Sequence, residues 1–238
     1  MSQTLAIAGR EFRAVLLSPA GYIVTALYAL FACMAFVFFA FDQGRPASMR
    51  VVFEASLWLL MFVCPAISMK AIAEGRRMGT FEMLMTSPVR EGQVIVGKFL
   101  GCLGFLVIIL LPTLIPVLVL EMYGRPDYGE VLCGYLGLLL VGSAYLATGI
   151  FASTVTISQA AAFLMTLFFW LILGVGTRTL TRLVGPPWSE AVFAADPDPR
   201  LRDFAIGLID SANVVYFVSF TAVFLIIAVK SLEIARWR

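Results

Sequence analysis

Six long apolar runs, at approximately 21–41, 51–69, 95–120, 131–153, 159–179 and 213–231, constrain this chain more than any other feature of it. A bilayer core of about 30 Å takes roughly 20 apolar residues in a helix to cross, and each run is near that length. In lipid the backbone has no water to bond to, so spans of this kind are helices. Composition agrees: 61% of the residues are hydrophobic, 13% are charged, and the mean hydropathy is +0.96, against about 25% charged in soluble domains. The expected fold class is an all-α integral membrane protein with six transmembrane helices, forming one transmembrane domain over 1–238.

Several function classes fall away at once. The sequence has no histidine, the commonest transition-metal ligand and the usual proton shuttle near neutral pH. No metal and no catalytic residue are therefore expected. Cys33, Cys64, Cys102 and Cys133 lie one each in or beside four different apolar runs without CxxC spacing, as small packing residues do. A formal net charge of +2 makes no case for nucleic acid. The first apolar run is uncharged from Ala14 to Phe41, longer than a signal-peptide core, and is expected to remain as an anchor.

Residues 1–19 carry Arg10, Glu11 and Arg13 among Leu5, Phe12, Leu16 and Leu17, which reads as an interfacial helix lying in the headgroup plane before Ser18-Pro19 turns the chain inward. Pro65, Pro112 and Pro116 fall inside the second and third runs and should kink them. Six spans put both termini on one side of the membrane. With the termini cytoplasmic, ten of the 17 basic residues and five of the 15 acidic ones lie inside, as the positive-inside rule requires. Trp237 with Arg236 and Arg238 reads as an interfacial anchor. The outer connection 181–212 carries Gly185-Pro-Pro-Trp188, Asp196-Pro-Asp-Pro199 and apolar residues such as Leu201, Phe204 and Leu208, so short interfacial or re-entrant helices are expected between the fifth and sixth spans. Glu54 and Glu121 near outer span ends read as substrate contacts or, more simply, as acids in headgroup reach; Arg178 and Arg182 read as interfacial anchors. No residue is assigned to substrate.

Gly92 to Lys98 fits the opening of a phosphate-binding loop, but Phe99 stands where a hydroxyl is required, and the segment opens a membrane helix after Arg90-Glu91 where a preceding strand is required, so nucleotide binding is not expected of this chain. Gly97, Gly101 and Gly104 instead allow another helix to approach closely. The densest polar segment lies in the cytoplasmic loop 70–94 and runs from Ala73 to Val89. Thr80 is a suitable N-cap, Glu82 suits the positive end of a helix, and Ser87-Pro88 stops it after about two turns. Phe81, Met83, Leu84 and Met85 give that helix an apolar side, which either docks another protein or rests on the bilayer; periodicity alone does not choose.

The run Ala73-Glu74-Gly-Arg76-Arg77-Met-Gly79-Thr80-Phe81-Glu82-Met83-Leu84-Met85-Thr86-Ser87-Pro88-Val89, followed by Gly97-Lys98-Phe99, resembles the cytoplasmic gate and coupling segment of ABC-2 type transporter permeases, and more closely the gliding-motility GldF-like branch. Arg10-Glu-Phe-Arg13 to Tyr22-Ile23, Pro126-Asp127-Tyr-Gly129, Gly134-Tyr-Leu-Gly137, Phe151-Ala-Ser153 to Gln159, and Gly207-Leu-Ile-Asp210 to Val215-Tyr216-Phe217 extend the resemblance over nearly the whole chain. Gly75 departs from it where a second acid is expected, and Val15-Leu16 replaces an aromatic pair.

The resemblance implies a half-transporter of the type V exporter fold in a bacterial inner membrane, a non-catalytic subunit whose ATP and Mg are used by separate ABC ATPase subunits. Phe81, Glu82, Met83, Leu84, Met85 and Thr86 would contact the ATPase. Glu74, Arg76, Arg77, Gly79, Thr80, Ser87 and Pro88 would support the gate. A second copy or a related permease would complete the pathway, with an auxiliary subunit bearing an extracytoplasmic domain as a further partner. The alternative, an ATP-independent secondary transporter or channel, predicts charged pairs at mid-membrane or repeated broken helices, and the sequence shows neither. A membrane scaffold or intramembrane enzyme would require a partner domain or embedded polar pairs, equally missing.

Overall fold

A computed structural model of the chain describes residues 2–39, 49–77, 90–123, 127–183, 197–208 and 210–236. Among them there is no strand. The helices are α1 (Ser2–Leu16), α2 (Pro19–Phe39), α3 (Arg50–Ser68), α4 (Lys70–Arg77), α5 (Glu91–Leu110), α6 (Leu114–Tyr123), α7 (Tyr128–Val155), α8 (Gln159–Leu183), α9 (Pro197–Ala205) and α10 (Ser211–Arg236). Six segments are long and apolar enough to cross a membrane: Pro19–Phe38, Arg50–Ala73, Glu91–Met122, Tyr128–Val155, Gln159–Thr181 and Ser211–Ile234.

The third span is a composite. At Pro112 the ladder passes through a 3₁₀ turn, Leu111–Thr113, between α5 and α6. Proline supplies no N–H for the α-helical pattern, and the Thr113 hydroxyl, buried here, donates to the Leu110 carbonyl (2.6 Å) and lies 2.9 Å from the Tyr135 hydroxyl of α7. Pro116 follows within the first turn of α6, where a missing N–H costs little. By contrast α3 continues as helix past Pro65 as far as Ser68.

The most buried of the six spans is α7, and α3, α5, α8, α9, α10 and α4 all pack on it. Its glycines explain how one helix serves so many neighbours. Gly134 receives the ring of Phe53 from α3, Gly137 the ring of Phe204 from α9, Gly142 the Leu106 methyls from α5, and Gly149 the Ser68 hydroxyl from α3. Without a Cβ at those positions the neighbouring axes come close, the same device that small residues provide in membrane bundles generally. Across α8 and α10 an aromatic stack forms the remaining wall: Tyr145 meets Trp170 edge-on at 4.5 Å between centroids, and Trp170 meets Phe220 at 5.1 Å. Outward, α2 and α10 present Tyr22, Ile23, Leu27, Phe31, Val215, Val218 and Ile226 unburied, a surface suited to acyl chains rather than water.

The end of α9 is a Schellman corner. Leu208 N–H donates to the Asp203 carbonyl (2.9 Å) and Gly207 N–H to that of Phe204 (3.1 Å), with Gly207 at φ 81°, where a side chain would be strained and would also meet Glu130 Cα at 3.0 Å. Asp210 then caps α10 by accepting from Ala212 N–H at 3.0 Å, and Asn213 Nδ2 donates back to Asp203 at 3.0 Å. These contacts lay α9, whose Leu201 and Phe204 are buried, over the ends of α3, α7 and α8. The expectation of short helices in 181–212 is met by α9 within 197–205; 184–196 and 209 lie outside the described residues.

Candidate functional site

The end of the bundle that carries both termini holds the roots of the loop that sequence reasoning singled out. Residues 78–89, including Gly79, Thr80, Phe81, Glu82, Met83, Leu84, Met85, Thr86, Ser87 and Pro88, lie outside the described residues. Glu74, Arg76 and Arg77 fall on α4, whose backbone is described. What surrounds the two roots, α4 on one side and α5 on the other, is defined.

The first root is α4. It leaves α3 at Met69, whose N–H still donates to the Pro65 carbonyl (2.9 Å). The cap comes from α7. Ser153 Oγ accepts from Ile72 N–H and Ala73 N–H, each at 2.9 Å, and is itself buried. The hydroxyl proton points to Met69 O at 3.4 Å. Two of the amides that a helix start leaves without partners are thus satisfied by a residue about 80 positions away. One turn back, Ser68 donates to Cys64 O (2.8 Å) and sits in the space left by Gly149.

The second root is the start of α5. Arg90 N–H donates to the Gln93 side chain at 3.3 Å, closing the first turn, and the segment 92–98 that mimics a phosphate-binding loop is helix. Lys98 is engaged by Glu11 of α1, both side chains largely shielded at 11% and 18% exposure. The glycines Gly97, Gly101 and Gly104 face α1. A Cβ at Gly97 would meet Ile7 at 2.9 Å, one at Gly101 would meet Glu11 Cβ at 2.8 Å, and one at Gly104 the Phe12 ring at 3.2 Å. The contacts advance in the same direction on both helices, so α1 lies along the first part of α5. Ala71 and Ile72 of α4, Ile95 of α5, Ile150 of α7, and Ala228 and Leu232 of α10 close over one another as a separate buried cluster. It ties both roots of the loop to the two longest described helices.

Residues 5–204 match the model of the ABC-2 family transporter protein. The chain belongs to that family. No curated protein matches it. As an ABC-2 transporter protein with six membrane-spanning helices, it is a multi-pass membrane transport component, and the loop between its second and third spans is the segment whose two roots are described above.

At the other end of this ABC-2 chain, the outlying charges that sequence reasoning treated one by one come together in part. Glu54 accepts from Arg50 Nε at 3.2 Å, and both line a cavity that Arg178 also lines. Glu121 is elsewhere, accepting from the Tyr128 hydroxyl at 3.0 Å between the ends of α6 and α7. Two elements escaped the sequence reading. Ser153 carried no local signal beyond its place in a Phe-Ala-Ser run, and the spacing of Gly134, Gly137, Gly142 and Gly149 was a signal for close packing that passed unread.

Proposed function

We propose that this chain is the membrane-spanning permease subunit of an ATP-binding cassette exporter, which passes the work of ATP hydrolysis in separate ATPase subunits to a translocation pathway. Membership of the ABC-2 family over residues 5–204 carries this reading. The chain itself binds no cofactor; ATP and Mg belong to the partner. Two permease subunits, identical or related, flank the pathway, in a bacterial inner membrane with both termini cytoplasmic, as the excess of Lys and Arg on that side supports. Descent from the gliding-motility branch, with its auxiliary extracytoplasmic subunit, remains part of the proposal on the strength of the motifs quoted above.

In this mechanism a two-turn helix from Phe81 to Thr86 enters a groove of the ATPase, with Glu82 and the apolar Phe81, Met83 and Leu84 making the contact. Glu74, Arg76, Arg77, Gly79, Thr80, Ser87 and Pro88 set its angle. Closure of the ATPase pair moves that helix, and the movement enters the bundle through α4 and α5. The Ser153 bonds to α4 and the Ile72–Ile95–Ile150–Leu232 cluster support this route, because they join the loop's roots to α7 and α10 by contacts that side chains of fixed shape transmit.

The test is co-purification of the full chain with an ABC ATPase from the same cell, together with ATP hydrolysis by the reconstituted pair. Truncating Glu82→Ala and Leu84→Ala should release the ATPase and abolish hydrolysis that depends on the permease. Full retention of both by the double variant would remove the assignment of this helix, and absence of any ATPase partner would remove the exporter reading.

A further inference from the structure

Between Ala66 and Ala73 nothing in the sequence tells a helix to stop. The stretch Ala66-Ile-Ser-Met-Lys-Ala-Ile-Ala73 holds neither proline nor glycine, and Met69 has helical backbone angles, φ −58° and ψ −31°. Yet α3 ends at Ser68 and α4 begins at Lys70. Pro65 is not the cause. A proline disturbs the turn before it, through the carbonyl four residues back, and the Met69 N–H still reaches the Pro65 carbonyl at 2.9 Å. A side chain pushed into the hydrogen-bond ladder is one of the few other ways to break a helix.

Ser153 is placed to do this. In an uninterrupted helix Ile72 N–H would donate to the Ser68 carbonyl and Ala73 N–H to that of Met69. Here both amides reach Ser153 Oγ, each at 2.9 Å, and the serine hydroxyl turns its own proton to Met69 O at 3.4 Å. Ser153 is fully buried and stands in the last turn of α7, which ends at Val155. One turn earlier Gly149 lets α7 come close enough for the insertion, since a Cβ there would fall on the Ser68 hydroxyl. The Ser68 side chain takes no part in the exchange, because its Oγ donates to Cys64 O at 2.8 Å.

The amides of α4 therefore have two sets of acceptors within reach, one on α7 and one on their own span. Trading one set for the other keeps the number of hydrogen bonds constant, so the difference is small beside the cost of a buried amide left unpaired. Two arrangements that each satisfy the backbone, with nothing satisfied in between, make a two-state element. Packing weights the interrupted one: Ala71 and Ile72 close on Ile95, Ile150, Ala228 and Leu232.

We propose that Ser153 is a positioning residue that works as a wedge. Inserted, it holds the span as two helices, with α4 packed on α7 and α8. Withdrawn, it lets Ile72 N–H return to the Ser68 carbonyl, and α3 and α4 close into one helix that carries the root of the 78–89 loop to a second position. That this motion serves ATP-driven coupling rests on the exporter reading; the wedge itself does not.

Two measurements on the full chain in detergent, with no ATPase present, test it. Spin labels at Trp58→Cys and Arg77→Cys, with the native cysteines replaced by Ala, give the separation across the junction, and hydrogen exchange gives the protection of the 70–77 amides. A single rod sets the labelled positions about 28 Å apart, and an interruption between them brings them closer. Ser153→Ala should move the separation out to that value while exchange across 70–77 stays no faster than in the wild-type chain, because Ser68 and Met69 take over as acceptors. An ordinary cap behaves in the opposite way: its loss frays the helix start, raising exchange about tenfold or more without lengthening the separation. Ser153→Thr, which keeps the acceptor, should keep the wild-type separation. Gly149→Ala, which leaves the hydroxyl in place but pushes α7 away from Ser68, should lengthen it, and this variant carries the test if Ser153→Ala does not fold. Faster exchange, or a separation that does not lengthen, overturns the wedge. A separation that lengthens in Ser153→Ala but does not respond to ATP when the wild-type chain is joined to its ATPase would leave the wedge standing and remove its part in coupling, so the two readings fail separately.

Discussion

Ser153 shows what a single hydroxyl can hold. By accepting from Ile72 and Ala73 N–H it caps a helix on a different part of the chain, and Ser153→Ala would leave two buried amides without an acceptor, a loss of about 1–3 kcal/mol. Thermal melting of the detergent-solubilised chain should fall by several degrees, whereas Ser219→Ala, which removes an exposed hydroxyl bonded to its own helix, should leave it unmoved. Gly134 is the converse case, where adding one carbon does the damage. A Cβ there overlaps the Phe53 ring, so Gly134→Ala should destabilise by about 1–3 kcal/mol, and Phe53→Leu in the same chain should recover part of that loss. Equal melting temperatures for the single and double variants would show that the ring does not seat in the gap.

At the level of elements, α1 is held by one charge pair and three glycines. Lys98→Met leaves the shielded Glu11 with only the exposed Arg10 guanidinium at 3.9 Å, so it should weaken the docking of α1 more than Lys98→Met combined with Glu11→Gln, because a shielded charge that has lost its close partner costs more than a missing pair. Protease susceptibility near Arg10 and Arg13 would read the difference. The spans themselves were legible in the sequence because hydropathy is a local property: twenty apolar residues identify themselves without reference to any partner. Pro112 likewise announces its break. Packing was less legible, since Ser153 and Gly149 acquire their meaning only from Ile72, Ala73 and Ser68, about 80 residues away in the chain. The cavity was the least legible feature. Arg50, Glu54 and Arg178 each stand near a span end, where an anchor at the headgroups is the ordinary reading, Arg202 lies on the outer connection, and only the fold of α9 over α3 and α8 makes them neighbours.

For the whole molecule, orientation is the first thing to measure. With Cys33, Cys64, Cys102 and Cys133 replaced by Ala, single cysteines at Ser2 and at Asp127 should react with a membrane-impermeant maleimide from opposite sides of intact cells, Asp127→Cys from outside and Ser2→Cys only after lysis. The reverse pattern would invert the topology and place the cavity lined by Arg50, Glu54 and Arg178 in the cytoplasmic leaflet. The second consequence is one of leverage. The helix α3 meets the Ser153 bonds at Met69 and contributes Arg50 to the cavity mouth, a separation of about 28 Å along an unbroken rod. Turned by roughly 10° about Met69, a rod of that length carries its far end about 5 Å, wide enough to change which molecules the mouth admits. A small displacement at one face of the membrane is thereby magnified at the other.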